Sequence, residues 1–382
     1  MSTNENYIVG LTSTNVAKWR AALTAMNAGT RSARLAVMGD SNTMGHTTTS
    51  DAKQKTAWPN KLVKYLPEYF DHAFNAGLFG DQLSPSAYGT YDTRTVLGTG
   101  WTQEETNEGN LGGSFFKATT SATGYLAFTP RTKFDRVKIY HTQYSTGATS
   151  VPVRLNGVTS LGNLDGNDAT SQVAKTQFSV TLGFNTIEIG PPVGGNIFIS
   201  GIEIWDSTRP GIGVFQFGQY GGEPSDFVDA GFPWSPLNLF DDYAPDLTII
   251  ALIINSSNRD TNTATYEANL RTMITTLQAN NSDVILLISG QNGTTNGLDG
   301  TFETYADIVR SIAEDLQLPL IDFYHLWTSY HFANDMGWVA DTNHASDAGY
   351  DDMARKIAEA IRMASYNSLS SAWQNLLLLG AG

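Results

Sequence analysis

One stretch of the chain decides the fold: Arg34-Leu-Ala-Val-Met-Gly-Asp-Ser-Asn-Thr-Met-Gly45. The apolar run from Leu35 to Met38 ends abruptly at Gly39-Asp-Ser41, and this pattern predicts a buried parallel strand followed by a tight turn. Open α/β sheets bind their ligands at the carboxyl ends of the strands. Ser41 at that edge is a candidate nucleophile, although Gly-Asp-Ser taken alone is typical of an ordinary turn.

Alternating strands and helices later in the chain extend this strand into a sheet. Apolar runs predict four further strands, which are Ile212–Phe217, Asp246–Asn255, Asp283–Ser289 and Leu318–Phe323. Helical spacing predicts Ala264–Ala279 and Thr301–Leu316 between the last three of them. This order predicts βαβ units, and therefore an α/β fold: a three-layer α/β/α, flavodoxin-like domain with a five-stranded parallel sheet.

The stretch from 88 to 207 differs, because it is rich in glycine and threonine and has no helical period. Its short alternating segments predict six strands, which are Gly124–Thr129, Arg136–Thr142, Val151–Leu155, Gln177–Leu182, Asn185–Gly190 and Asn196–Trp205. Strands at such regular spacing predict an inserted all-β, jelly-roll-like sandwich over 88–207. The α/β domain is then discontinuous, over 1–87 and 208–382.

Composition limits the classes to which the protein can belong. Lys and Arg total 23 against 37 Asp and Glu, and the resulting formal charge of -14 disfavours binding to nucleic acid or to anionic membranes. The absence of cysteine excludes thiolate nucleophiles and cysteine-ligated metal sites. No metal or other cofactor is predicted, and a neutral or cationic small substrate is the easiest partner to accommodate.

The two ends of the chain bear on location and assembly. Residues 1–7 lack the basic and apolar regions of a signal peptide, and no apolar run approaches the length of a membrane span. A secreted or virion-associated location stays open. Trp373 and Leu376–Leu379 are typical of the apolar face of a terminal helix, and we expect this face to contact the core or another subunit.

Asp341 and His344 supply what a serine nucleophile needs, which is a base with an acceptor on its other ring nitrogen. Their spacing on a loop predicts that the Asp341 carboxylate meets Nδ1 of His344 and leaves Nε2 free to face Ser41. A capping aspartate beside a surface histidine is the simpler alternative. His46 is expected to form a wall of the cleft. None of the other five histidines is expected to have an acid in an equivalent position. These are His46, His72, His141, His325 and His331.

Acyl transfer also requires hydrogen-bond donors for the developing oxyanion. Asn255 ends a predicted strand, so its side-chain amide is expected at the same edge as Ser41. The glycine donor is either Gly80 or Gly221. We favour Gly221, because Ile212–Phe217 is the better strand and gives a five-stranded sheet without a surplus element.

These motifs resemble the blocks of the SGNH (GDSL-like) hydrolases. Gly39-Asp-Ser-Asn-Thr-Met-Gly45 fits the first block, and Asp341-Thr-Asn-His344 fits the last. The third block of that family is Gly-x-Asn-Asp, whereas this chain has Ile253-Ile-Asn-Ser256 and keeps only the Asn. The resemblance implies the following roles: Ser41 as nucleophile, His344 as base, Asp341 as its orienting partner, and Ser41, Gly221 and Asn255 as oxyanion donors.

An insertion before the second block is similar to that of carbohydrate O-acetyl esterases, including those from phage and prophage genomes. Residues 88–207 are then expected to resemble a carbohydrate-binding module. Trp101, Tyr140 and Tyr144 are its candidate stacking residues, although aromatic side chains in strands are more often part of a core.

The predicted function is that of a metal-independent serine esterase that hydrolyses short acyl esters, above all O-acetyl esters, on a carbohydrate. Three alternatives stay open. The first is a general short-chain carboxylesterase or lipase-like enzyme. The second is a non-catalytic glycan-binding or adhesion protein with a degenerate site. The third is a flavodoxin-like domain that holds a phosphate or flavin at the Ser41 turn.

Overall fold

The structure, a computed structural model, describes residues 8–12, 14–46, 57–79, 94–105, 110–290 and 299–365. Within these residues one sheet has seven strands, and strands and helices are numbered below in chain order. In spatial order the strands are β1 (Ile8–Val9), β18 (Leu320–Asp322), β17 (Asp283–Ile288), β16 (Leu247–Ala251), β2 (Ala33–Gly39), β15 (Ile212–Gly218) and β3 (Ala73–Asn75). The predicted terminal helix with Trp373 and Leu376–Leu379 lies outside the described residues.

The prediction of five strands is wrong by two, because β1 and β3 were not predicted. The five predicted strands pair in parallel, β3 adds a sixth parallel strand beside β15, and β1 pairs antiparallel with β18. β1 has two residues, and β3 is the three-residue segment Ala73–Asn75 with two apolar residues, so neither shows the signal that predicts a strand. β18 is equally short but lies within the longer apolar segment Leu318–Phe323, which does show it.

Helices pack on both faces of this sheet, which gives three layers. Side chains of β2 alternate, so Leu35 and Val37 lie in one apolar core and Ala36 and Met38 in the other. All four are fully buried, and burial of each of the larger ones contributes about 1.5–3 kcal/mol. The helices are α1 (Ala17–Asn27), α2 (Ser41–Met44), α3 (Trp58–Tyr65), α4 (Pro224–Phe227), α5 (Pro236–Tyr243), α6 (Ile254–Asn258), α7 (Thr263–Ala279), α8 (Asp299–Asp315), α9 (Phe323–Leu326), α10 (Tyr330–Asp335) and α11 (Asp347–Ser365), with a 3₁₀ turn at Leu66–Glu68.

Two antiparallel sheets occupy most of the stretch from 94 to 205. The strands are β4 (Gly77–Phe79), β5 (Thr95–Leu97), β6 (Trp101–Glu105), β7 (Ser114–Ala118), β8 (Leu126–Phe128), β9 (Phe134–Gln143), β10 (Val151–Leu155), β11 (Thr159–Leu164), β12 (Gln172–Gly183), β13 (Ile187–Ile189) and β14 (Ile197–Trp205). One sheet has the order β11-β10-β13-β8-β5 and the other β12-β9-β14-β7-β6, with β4 also paired to β14. Both contribute to one apolar core, and each of the six predicted strands has a counterpart.

A buried cluster of charges joins these sheets to the α/β part. Arg34 of β2 forms an ion pair with Glu203 of β14, which also accepts hydrogen bonds from Tyr140 at 2.6 Å and Lys138 at 3.2 Å. Burial alone would raise the pKa of Glu203, but Arg34 and Lys138 outweigh it and lower the pKa. Loss of one partner of such a buried pair costs about 3–5 kcal/mol.

Two of the three candidate stacking residues are not available at the surface. Tyr140 is fully buried and Trp101 is only 5% exposed, whereas Tyr144 is partly exposed. Both buried rings belong to apolar cores, as is usual for aromatic side chains of strands. Among the helices that the structure describes, none has both the length and the apolar character that a membrane span requires.

Candidate active site

Three neighbouring strands end side by side at the carboxyl edge of the sheet. The register pairs Gly39 of β2 with Gly218 of β15 on one side and with Ala251 of β16 on the other. The backbone N–H of Gln219 donates to the carbonyl of Gly39 at 2.9 Å and extends this pairing beyond the strands. The segments that follow these three strand ends carry the predicted nucleophile and the predicted oxyanion donors.

Ser41 begins α2 directly after β2. The Asp40 carboxylate caps this short helix by accepting the backbone N–H of Asn42 at 2.8 Å. Only glycine fits at position 39, because a Cβ there would lie 2.0 Å from the hydroxyl oxygen of Thr43. Ser41 is 5% exposed, so packing fixes the position of its hydroxyl group.

The structure brings Ser41, His344 and Asp341 into one hydrogen-bonded chain. The Ser41 Oγ lies 3.0 Å from Nε2 of His344, and Nδ1 of His344 lies 2.9 Å from each carboxylate oxygen of Asp341. A base that contacts the hydroxyl with one ring nitrogen and a carboxylate with the other is the arrangement that activates a serine.

Asp341 is held as an anion by the loop that it shares with His344. Its Oδ1 accepts the backbone N–H groups of Asn343 and His344, each at 2.8 Å. Burial alone would raise the pKa of Asp341, but these hydrogen bonds and the His344 ring outweigh it and lower the pKa to about 2. An ionised Asp341 can accept a hydrogen bond from Nδ1 of His344, and the other ring nitrogen, Nε2, is the one that faces the Ser41 hydroxyl.

A second Asp-x-x-His arrangement occurs at Asp322 and His325. Nδ1 of His325 lies 2.7 Å from Oδ2 of Asp322, so the expectation that no other histidine has an acid in this position is wrong. Asp322 ends β18, which is three strands away from β2, a separation of about 14 Å. Proximity to Ser41, rather than spacing along the chain, distinguishes His344 from His325.

Asn42, which the sequence did not single out, connects the helix that begins at Ser41 to the loop that carries Asp341 and His344. Its amide donates to the carbonyl of Asn343 at 2.9 Å, and its Oδ1 accepts the N–H of Ala345 at 3.1 Å. The hydroxyl of Tyr350 also lies 3.1 Å from that oxygen. On the other side of the loop, Asn258 donates to Oδ1 of Asn343 at 3.0 Å. The loop is therefore fixed from two strand ends.

Gly221 and Asn255 follow the two strand ends that flank β2. Gly221 has φ +67, a left-handed conformation that favours glycine. Among the described residues, no protein acceptor faces the backbone N–H of Gly221 or of Ser41. The Asn255 amide donates one hydrogen to the carbonyl of Gly222 at 3.1 Å, which orients the rest of the group.

The other candidate donor, Gly80, lies outside the described residues. The preference for Gly221 assumes a sheet of five strands with no further strand before Gly80. This assumption is wrong, since β3 is such a strand and pairs with β15. Gly221 is supported by its position shortly after β15, because β15 is adjacent to β2 and Ser41 follows β2.

Glu223 connects the turn with Gly221 to the segment that carries the altered third block. Its carboxylate accepts hydrogen bonds from Ser256 at 2.9 Å and Thr261 at 2.5 Å, and it forms an ion pair with Arg259. Burial alone would raise the pKa of Glu223, but these hydrogen bonds outweigh it and lower the pKa. Arg259 also donates to the carbonyl of Gly221 at 3.0 Å. The turn with Gly221 and the helix with Asn255 are thus joined through one carboxylate.

His46 lies between Tyr220 and His344, and its role as a wall of the cleft stays a prediction. The ring of His46 packs edge to face on that of His344, with 4.5 Å between centroids, and on that of Tyr220, with 5.7 Å. Within the described residues, no group of three or more His, Asp or Glu side chains is placed to hold a metal ion.

The fold and the site define an α/β protein with a Ser-His-Asp arrangement at the carboxyl edge of its sheet. Residues 212–351 match the family model of the GDSL-like lipase/acylhydrolase family, and this range includes Gly221, Asn255, Asp341 and His344. The predicted resemblance to the SGNH (GDSL-like) hydrolases is confirmed.

One solved structure matches most of the chain in fold. A structure described as a peptidoglycan O-acetylesterase in action is 17% identical, covers 94% of this chain and 99% of its own, and superposes with a TM-score of 0.70. The two chains therefore share an overall fold. An acetyl xylan esterase is 21% identical over 39% of this chain and 81% of its own, with a TM-score of 0.34. No curated protein sequence matches the chain.

Proposed function

We propose that the protein is a serine esterase that removes short acyl groups, above all acetyl, from a carbohydrate. The observation that carries this proposal is the continuous hydrogen-bonded chain from Ser41 through His344 to Asp341, with contacts of 3.0 and 2.9 Å. Its position at the edge where α/β sheets bind ligands supports the same proposal, as does the match to an acylhydrolase family.

The proposed reaction has two acyl-transfer steps. Ser41 Oγ attacks the ester carbonyl while His344 takes the serine proton, and the tetrahedral intermediate collapses as His344 returns that proton to the departing sugar oxygen. Water then attacks the acyl-enzyme, again with His344 as base, and releases the carboxylic acid and free Ser41. The backbone N–H groups of Ser41 and Gly221 and the Asn255 amide stabilise the oxyanion, each by about 2.7–4 kcal/mol.

The proposal includes a division of labour along the chain. Residues 1–87 and 208–382 form the hydrolase domain, and 88–207 form an inserted β-sandwich that resembles a carbohydrate-binding module. The fold shared with an esterase of an acetylated glycan supports a carbohydrate substrate. The net charge of -14 favours a neutral substrate over nucleic acid or an anionic membrane.

Acetate release from acetylated xylan and from O-acetylated peptidoglycan tests this function, with the wild type and Ser41→Ala compared at equal concentration. We expect release by the wild type and a loss of more than a thousandfold in the variant. Release from small esters alone indicates a general short-chain esterase. No release, together with no labelling of Ser41 by a serine-directed phosphonate, indicates a non-catalytic binding protein.

A further inference from the structure

The connection between β15 and α5 exposes three aromatic side chains. Tyr220 is 39% exposed and Phe232 is 47% exposed, and Trp234 is partly exposed. Aromatic side chains of this size are normally buried or occupy binding surfaces. We call these three residues the aromatic rim.

Tyr220 fixes one end of the aromatic rim beside the triad. It directly precedes Gly221, and its ring packs on His46, which in turn packs on the base His344. A substrate whose carbonyl lies at Ser41 therefore passes close to the Tyr220 ring.

Phe232 and Trp234 lie farther along the connection, directly before α5, and the direction of that helix indicates the edge of the sheet toward which they extend. The helix α5 ends beside the amino end of β2, where the carbonyl of Tyr243 accepts hydrogen bonds from the Arg34 side chain. The helix runs against the strands, as crossover helices do. Its first residue, and the loop that precedes it, are thus directed toward the carboxyl edge.

Hydrogen bonds hold this loop in one conformation. Oδ1 of Asp229 accepts the N–H of Gly231 at 3.1 Å, the hydroxyl of Ser235 accepts the N–H of Phe232 at 3.0 Å, and Asn238 donates to the carbonyl of Phe232 at 2.7 Å. The rings of Phe232 and Trp234 are parallel, 1° apart in plane with 5.3 Å between centroids. A surface so ordered loses little conformational entropy when a ligand binds.

We propose that the aromatic rim is the subsite that stacks on the pyranose ring of the acylated sugar. Pyranose rings present flat faces of C–H groups, and an aromatic face covers such a surface without a charge. This inference rests on the proposed esterase function and deepens it, because it assigns recognition of the leaving sugar to the hydrolase domain rather than to residues 88–207.

The test compares two esters, β-D-glucose pentaacetate and ethyl acetate, with acid release followed at constant pH. For Phe232→Ala and Trp234→Ala we expect the ratio of kcat/KM on the sugar ester to that on ethyl acetate to fall about tenfold, mainly through KM. Phe184 provides the matched control, because it is 68% exposed and lies within residues 88–207, between β12 and β13. Phe184→Ala should leave the ratio within about twofold of the wild type.

An unchanged ratio in both rim variants overturns the inference about the rim. Hydrolysis of ethyl acetate in the same experiment would still support the esterase function. If the ratio falls in Phe184→Ala instead, sugar recognition belongs to residues 88–207, and the inference is overturned as well. Light scattering measures the oligomeric state of each rim variant. If that state changes and the ratio does not, the rim is a protein contact and not a sugar subsite. If the wild type hydrolyses neither ester, the proposed function itself fails.

Discussion

The side-chain amide of Asn42 donates to the carbonyl of Asn343 at 2.9 Å and so ties the residue after Ser41 to the loop between Asp341 and His344. The 3.0 Å contact between Ser41 and His344 joins two segments that are far apart in the sequence. Asn42 fixes their separation with side-chain bonds that are buried and therefore rigid.

Replacement of Asn42 by Ala should therefore lower both stability and activity. The variant loses the bonds to Asn343 and Ala345 and leaves buried backbone groups unpaired, which should reduce the free energy of unfolding by about 2–4 kcal/mol. We expect kcat to fall more than tenfold, since the base is no longer held against Ser41. Urea denaturation and ester hydrolysis measure the two effects. Asn258→Ala, which removes one contact from the other side of the loop, should show a smaller loss of each.

The two Asp-x-x-His pairs provide a matched test of which histidine is the base. We expect His344→Ala to reduce kcat on an activated acetate ester by about 10³–10⁴. His325→Ala removes an imidazole with the same contact to an aspartate, but at a distant strand end, and should keep activity within about twofold of the wild type. Equal losses in both variants would show that protein folding, and not general base catalysis, is affected.

Sequence patterns predicted the parts of this molecule that depend on local chemistry. The five predicted strands each lie in an apolar run, and the Ser41, Asp341 and His344 segments have a spacing with a direct physical cause. The short strands β1 and β3 have no such signal. Their residues pair because the sheet provides an edge for them, which is a tertiary effect.

Long-range partners were the other class of feature that the sequence could not supply. Glu223 contacts Ser256 and Arg259, which follow the next strand of the chain, and no local pattern relates these positions. Asn42 lies within the Gly-Asp-Ser block, yet its amide contacts a loop near the other end of the chain. An acidic residue beside the glycine turn was the one available signal for Glu223.

Gly221 should be sensitive to substitution for two separate reasons. Alanine at φ +67 is strained by about 1–2 kcal/mol, and its Cβ would lie 2.9 Å from Nη2 of Arg259. If the backbone at position 221 moves to relieve this strain, its N–H no longer points at the oxyanion. We therefore expect kcat to fall about 10²–10³-fold. Gly29 has φ +73, and no atom lies within 4 Å of the position that a Cβ would take there, so Gly29→Ala carries the strain alone. A similar kcat in both variants would remove Gly221 from the oxyanion site.

Asp40 should make the protein less stable as the pH rises. Burial raises the pKa of its carboxyl group to about 6, although the Asn42 N–H and the nearby His344 ring lower it in part. Between about pH 4 and pH 6 the folded state keeps a proton that the unfolded state has released. The free energy of unfolding therefore falls with rising pH through this window, by about 2 kcal/mol from this one group.

The variant Asp40→Asn isolates that contribution, because asparagine can still cap α2 through its side-chain oxygen and does not titrate. Urea denaturation of wild type and variant at pH 4, 5, 6 and 7 gives the difference in unfolding free energy at each pH. We expect the variant to gain on the wild type by about 2 kcal/mol between pH 4 and pH 7. Asp341→Asn should behave oppositely, since the low pKa of Asp341 stabilises the wild type above pH 4 and this advantage disappears as the pH falls toward about 2. Parallel curves for wild type and Asp40→Asn would mean that the Asp40 carboxylate is solvated in the folded protein.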